Sequence, residues 1–126
     1  MFDHIDPRSP PPLYEQIAGR IRVAVAAGEL NEGQALPSVR QLATTLRVNP
    51  ATVVQAYREL QSQGFVELRH GAGTFVKAVP ADRKKGERIQ HAAQMVREMM
   101  AEAARVGVNG EDLRAALDRE LGKDGQ

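Results

Sequence analysis

The sequence predicts a mainly α-helical chain with one small β wing. Three observations within residues 36–77 (LPSVRQLATTLRVNPATVVQAYRELQSQGFVELRHGAGTFVK) predict it. A helix opened by a serine cap comes first, and a second, opened by Asn49-Pro50, follows a tight turn at Arg47-Val48. A short hairpin with a glycine-rich, basic tip closes the run. Helix, turn, helix and wing in that order describe a domain that can lay its last helix in the DNA major groove. The expected divisions are an extended lead-in (1–12), an N-terminal winged helix-turn-helix domain (13–78), a hinge (79–86) and a short two-helix dimerisation tail (87–126).

Each element has a local cause. Residues 7–12 are proline-rich and read as an extended lead-in. From Leu13 the apolar positions Ile17, Ile21, Ala24 and Val25 recur at helical spacing, and Gly28 is a natural stop. Pro37 halts the following loop. Ser38 then begins a capping box, its hydroxyl accepting from the amide of Gln41 while Gln41 reaches back to the amide of Ser38. Val39, Leu42, Ala43 and Leu46 supply the buried face of this second helix. Asn49 is a preferred N-cap, Pro50 suits the first helical position, and the third helix runs to about Gln63, where Gly64 can end it. Phe65 to Arg69 and Thr74 to Lys77 are rich in β-formers around His70-Gly71-Ala72-Gly73. Ala78 to Gly86 (AVPADRKKG) reads as a polar hinge. Beyond it, Ile89, Ala92, Ala93, Val96, Met99, Met100 and Ala103 mark an amphipathic helix ending near Gly107. A shorter helix capped by Asn109 carries Leu113, Ala116, Leu117 and Leu121 on one face.

Bulk numbers set bounds. A chain of 126 residues, 42% hydrophobic, fits one ordinary domain plus a small appendage. Cysteine is absent, which excludes disulfides and thiolate metal sites. No apolar run of about 18 residues occurs and no secretory h-region opens the chain, so a soluble cytoplasmic protein without membrane contact is expected. The net charge of +1 is low for a nucleic-acid partner. Its distribution helps somewhat: from Leu13 to Lys77 seven Lys/Arg oppose five Asp/Glu, whereas from Ala78 to Gln126 nine oppose nine. Affinity for DNA would therefore depend on a few arginines and on two copies of the site. An enzyme is not expected, because no serine elbow, paired histidine ligands or Walker loop occurs. Neither cofactor nor metal is expected. Asp3-His4-Ile5-Asp6 could chelate an ion, but at a terminus it reads as incidental, and His70 has no partner ligand nearby.

The third helix carries the functional argument. With Val53 at the centre of its inner face, Ala56, Tyr57 and Leu60 fall on the same side, and Tyr57 reads as core. Ala51, Gln55, Arg58 and Ser62 fall opposite, flanked by Thr52 and Val54. Gln55 can make a bidentate pair with adenine, and the methyls of Ala51, Thr52 or Val54 suit thymine. Arg58 is better placed for a phosphate. At the start of the second helix, Ser38 and Arg40 adjoin exposed amides at the positive end of a dipole, which favours a phosphate too. In the wing, Arg69, His70, Gly71, Gly73 and Thr74 join cationic groups to glycines that let the backbone approach a minor groove closely. With Asn49 at the turn, these residues make up the candidate DNA-binding set.

These residues resemble the signature of the GntR family of bacterial transcription regulators. The resemblance covers Leu13 to Val76: a YEQIAGRI-type first helix, LPSVRQLA, VNPATVVQAYRELQSQG and FVELRHGAGTFV. The short two-helix tail and the IDPRSPPPLYEQI start are similar to its YtrA-like subgroup. The resemblance implies a dimer that represses operons, often ones encoding ABC transporters. It also implies that Arg40 contacts the operator and that His70 and Gly71 enter the minor groove. Pro50 and Val54 stand where other branches place recognition-helix arginines, which implies an A·T-leaning, shape-assisted readout rather than an Arg–guanine one.

About 40 residues follow Gly86, too few to enclose the several hundred Å³ of a typical ligand pocket. They can bury an apolar stripe against a twin, so Ile89, Ala92, Val96, Met99, Met100, Ala103, Leu113 and Leu117 are the expected dimerisation residues, with Met95, Met99 and Met100 as adaptable packing. The expected function is a sequence-specific dimeric repressor on an inverted-repeat operator in double-stranded DNA, with half-sites one helical turn, ~34 Å, apart. The sequence does not identify a small-molecule effector. The alternative is a winged-helix protein–protein interaction module that does not read DNA sequence; it would show an apolar outward face.

Overall fold

Ser38 and Asn49 open their helices as their side-chain chemistry requires. A computed structural model of the chain describes residues 1–3 and 5–125, with side chains through 122. Its elements are α1 (Leu13–Ala27), α2 (Val39–Leu46), α3 (Pro50–Ser62), β1 (Val66–Arg69), β2 (Gly73–Val76), α4 (Ala81–Arg105) and α5 (Gly110–Gly125). The Ser38 hydroxyl accepts from the Gln41 amide at 3.1 Å, and the Gln41 side chain accepts from the Ser38 amide at 2.9 Å, closing the capping box. The Asn49 side chain accepts from the Ala51 amide at 2.8 Å, with Pro50 next in line. Gly28 ends α1 at φ 86°, and Gly64, at φ 82°, follows α3 while the Phe65 amide returns to the Leu60 carbonyl. Between α2 and α3 the chain turns through Arg47 at φ 58°, a left-handed conformation unusual for a residue with a Cβ.

The chain forms two compact units, Met1–Arg88 and Ile89–Gln126. In the first, one apolar cluster joins Ile17, Ile21, Ala24 and Val25 of α1 with Leu42 and Ala43 of α2, Val53, Ala56, Tyr57 and Leu60 of α3, and Phe65, Val66 and Val76 of the wing. The wing is antiparallel, with Val66 opposite Val76 and Arg69 opposite Gly73. β1 starts one residue later than expected, the Phe65 amide being used to close α3, and β2 runs one residue earlier than expected. A further piece of extended chain was not expected: Ala35 bridges Phe75, and the Leu36 amide donates to the Thr74 carbonyl at 2.9 Å. The loop before α2 is thereby stitched to β2.

Two expectations need correction. The hinge expected at 79–86 is helical from Ala81 onward, and Val79 is buried in the core. Pro80 suits a helix start, Ala81 to Lys85 are mostly sound helix formers, and Gly86 sits inside α4 without a positive φ. The lead-in is also less extended than its prolines suggest. It turns at Asp6, and the Gln16 side-chain amide grips it, donating to the carbonyls of Asp6, Ser9 and Pro11 and accepting from the Asp6 amide. Phe2 and Ile5 pack against the core.

In the second unit α4 closes at Arg105, and the chain reverses through Gly107 at φ 81° with the Val108 amide on the Ala103 carbonyl. Asn109 and Asp112 cap α5 reciprocally, each side chain accepting from the other's amide. Among the described residues no helix is long and apolar enough to cross a membrane.

Candidate nucleic-acid interface

The outward face of α3 follows from its inner one. Val53, Ala56, Tyr57 and Leu60 are buried, which leaves Ala51, Gln55 and Arg58 exposed, with Thr52 and Val54 half-buried beside them. Tyr57 donates its hydroxyl to the Pro37 carbonyl at 2.7 Å, tying α3 to the loop that leads into α2. Ser38 and Asn49 are exposed, but their side-chain oxygens already serve as caps. Arg40 and Arg58 are exposed and have no ion pair or hydrogen-bond partner among the described residues. Arg47 shares that condition and was missed as a candidate. The sequence placed it in the turn, but not in a left-handed turn that leaves its guanidinium free immediately before α3. Together these three arginines supply unpaired positive charge around a small, polar helix face.

The wing differs in one respect from expectation. Arg69 is engaged within the hairpin: its Nη2 lies 2.8 Å from Glu67 Oε1, and its guanidinium carbon lies 4.2 Å from the centre of the Phe75 ring. Glu67 and Arg69 are two positions apart on one strand and so share a face, and Phe75 stands opposite Glu67. Such an exposed pair contributes little stability, so the guanidinium can turn to a phosphate at small cost. His70 is exposed at the tip, Thr74 is half-buried, and Gly71 and Gly73 adopt φ 76° and 123°. The tip therefore requires its glycines for backbone shape.

Among the described residues there is no group of three or more His, Cys, Asp or Glu that could hold an ion. Of the Asp3-His4-Ile5-Asp6 run, His4 lies outside the described residues. Asp6 accepts from the Arg8 amide and the Ser9 hydroxyl, and the Arg8 amide bond above all holds its carboxyl below the usual range.

Of the expected dimerisation residues, Ile89, Ala92, Val96, Met99 and Met100 are exposed on α4, and Leu117 is exposed on α5. Ala103 is buried and Leu113 half-buried, so these two already serve their own unit. On α4, the exposed Ile89, Ala92, Val96 and Met99 alternate at spacings of three and four, the interval of a coiled-coil seam.

With this geometry in place, comparison with known proteins is informative. The family described as bacterial regulatory proteins, gntR family, matches residues 13–76. The chain is 46% identical over 72 residues to the HTH-type transcriptional repressor YtrA of Bacillus subtilis, covering 57% of this chain and 55% of that one. It thus spans little more than half the length of that relative. Among solved structures, it is similar to a GntR family transcriptional regulator from Listeria monocytogenes, with TM-score 0.66 and 30% identity over 90% of this chain and 97% of that one. It is likewise similar to YtrA from Sulfolobus acidocaldarius, a GntR-family transcription factor, with TM-score 0.59 and 36% identity over 75% of this chain and 99% of that one. The matched residues run from the first residue of α1 to the last of β2, and the chain belongs to the gntR family of bacterial regulatory proteins.

Proposed function

We propose that this chain is a sequence-specific DNA-binding transcription regulator, a cytoplasmic dimeric repressor acting on an inverted-repeat operator. The observation that carries the reading is the outward face of α3, small and polar, with unpaired Arg40, Arg47 and Arg58 around it. In this reading Gln55 meets a base edge, with the methyls of Ala51, Thr52 and Val54 beside it, and Arg40 and Arg58 hold phosphates. Asn49 and Ser38 orient amides toward the backbone, and His70, Gly71, Gly73 and Thr74 bring the wing to the minor groove. The apolar seam on α4 pairs two copies. Control of a transporter operon is part of the proposal through the resemblance to the YtrA-like subgroup.

The protein–protein alternative is disfavoured by the same face. Among the described residues of the first unit, the exposed large hydrophobics are Met1 and Leu68, and none lies on α2 or α3.

The test is binding to duplexes that the protein selects from a random pool. Affinity is expected to fall with salt at a log–log slope of about −0.9 per phosphate neutralised. Arg40→Ala should weaken all sequences alike, whereas Gln55→Ala should relax preference at one base pair. A flat salt response, or selection of no sequence, would remove the reading.

A further inference from the structure

The turn between α2 and α3 holds a side chain that its backbone does not suit. The Val48 amide donates to the Ala43 carbonyl at 3.0 Å, and closing α2 in this way requires a left-handed residue at position 47. Arg47 takes that conformation at φ 58°. A Cβ crowds the following carbonyl oxygen there, so glycine is the usual occupant. Among the described residues every other positive φ belongs to a glycine, including Gly28 after α1 and Gly64 after α3. Leu46 and Val48, on either side, pack against the core, which leaves Arg47 exposed two residues before the Asn49 cap of α3. Free cations are also scarce in this unit. Of the seven Lys/Arg from Leu13 to Lys77, Arg20, Arg22 and Arg69 are ion-paired with Glu29, Glu87 and Glu67. Arg40, Arg47, Arg58 and Lys77 remain, exposed and without an ion pair among the described residues.

We infer that Arg47 is a phosphate-binding residue, held in an unfavourable backbone conformation for the sake of its charge beside the reading helix. The inference rests on the DNA-binding reading above and involves only the unit Met1–Arg88. The competing explanation is the dipole of α2, whose negative end attracts a cation. The two differ in what replacement does to the fold. A cation kept for the dipole stabilises α2, so removing it lowers stability. A cation kept for DNA leaves strain that glycine relieves, offset in part by the greater freedom of glycine in the unfolded chain.

The full chain, Arg47→Gly and Arg47→Lys are compared by urea unfolding and by binding across a salt series. Two duplexes are used, one selected by the wild type from a random pool and one unselected. Arg47→Gly should unfold at the same or a higher urea concentration. It should bind both duplexes more weakly, by about eightfold per copy bound at about 0.1 M salt, with the log–log slope smaller by about 0.9 per copy. A charge removed from beyond the screening length of about 10 Å would not shift the slope so far. Arg47→Lys keeps the charge and should keep the wild-type slope. A lowered urea midpoint in Arg47→Gly assigns the residue to the dipole and overturns the inference. So does weakening confined to the selected duplex, which would make Arg47 a base reader. Wild-type binding with an unaltered slope in Arg47→Gly removes this inference alone. A wild type that binds no duplex removes the DNA reading, and the inference falls with it.

Discussion

The Tyr57 hydroxyl links α3 to the peptide before the Ser38 cap through its 2.7 Å bond to the Pro37 carbonyl. Tyr57→Phe should destabilise the fold by about 1 kcal/mol, read as a lower urea midpoint. Burial also pushes this hydroxyl from 10.0 up to about 12. The folded state thus holds the proton more tightly than the unfolded one. The associated stability is full below pH 10 and is lost as pH rises toward 12. Tyr57→Phe should lack that alkaline loss, and an identical pH profile for both proteins would refute the assignment. At this scale the sequence was partly legible. Helical spacing placed Tyr57 in the core, but its partner is twenty positions away, and nothing local announces Pro37. The handedness of Arg47 and the engagement of Arg69 with Glu67 and Phe75 escaped as well. Each depends on how a backbone bends or pairs, and not on residue type alone.

Among elements, α4 is the informative one. Gly86 is helical and has open space around it, with nothing within 4 Å of where a Cβ would sit. Gly86→Ala should therefore stabilise the protein by about 0.5–1 kcal/mol, raising the urea midpoint without changing DNA affinity. A lowered midpoint would mean that the segment is not helical in solution. The helices whose ends are written in a few residues were legible: Ser38 with Gln41, Asn49 with Pro50, and the glycines at 28 and 64. Residues 81–86 were not, because a polar, glycine-ended stretch has the same composition in a linker as on a solvated helix. The contact of Arg83 with Phe65, just beyond α3, bears on the choice between the two, and it comes from a residue eighteen positions away. The candidate interface followed the same division. The polar face of α3 could be read from its period, while the stitching of residues 33–36 onto β2 could not.

The whole molecule carries a net charge of only +1, so one copy offers few cations to a duplex, and in the proposed dimer the pairing of copies would be the main source of affinity. Val96→Glu combined with Met99→Glu should yield monomers by sedimentation and abolish most operator binding while leaving the first unit folded. A variant that still sediments as a dimer would move the seam elsewhere. The stitched loop has its own consequence on DNA. Hydrogen bonds from Gly33 and Leu36 to β2, and from Val76 back to Gln34, join the hairpin to the start of α2. In the proposed complex the two would grip a duplex like the jaws of a caliper set to one gap. A sequence whose minor groove is too wide or too narrow would have to deform itself to fit, so base pairs that no side chain touches would still be discriminated.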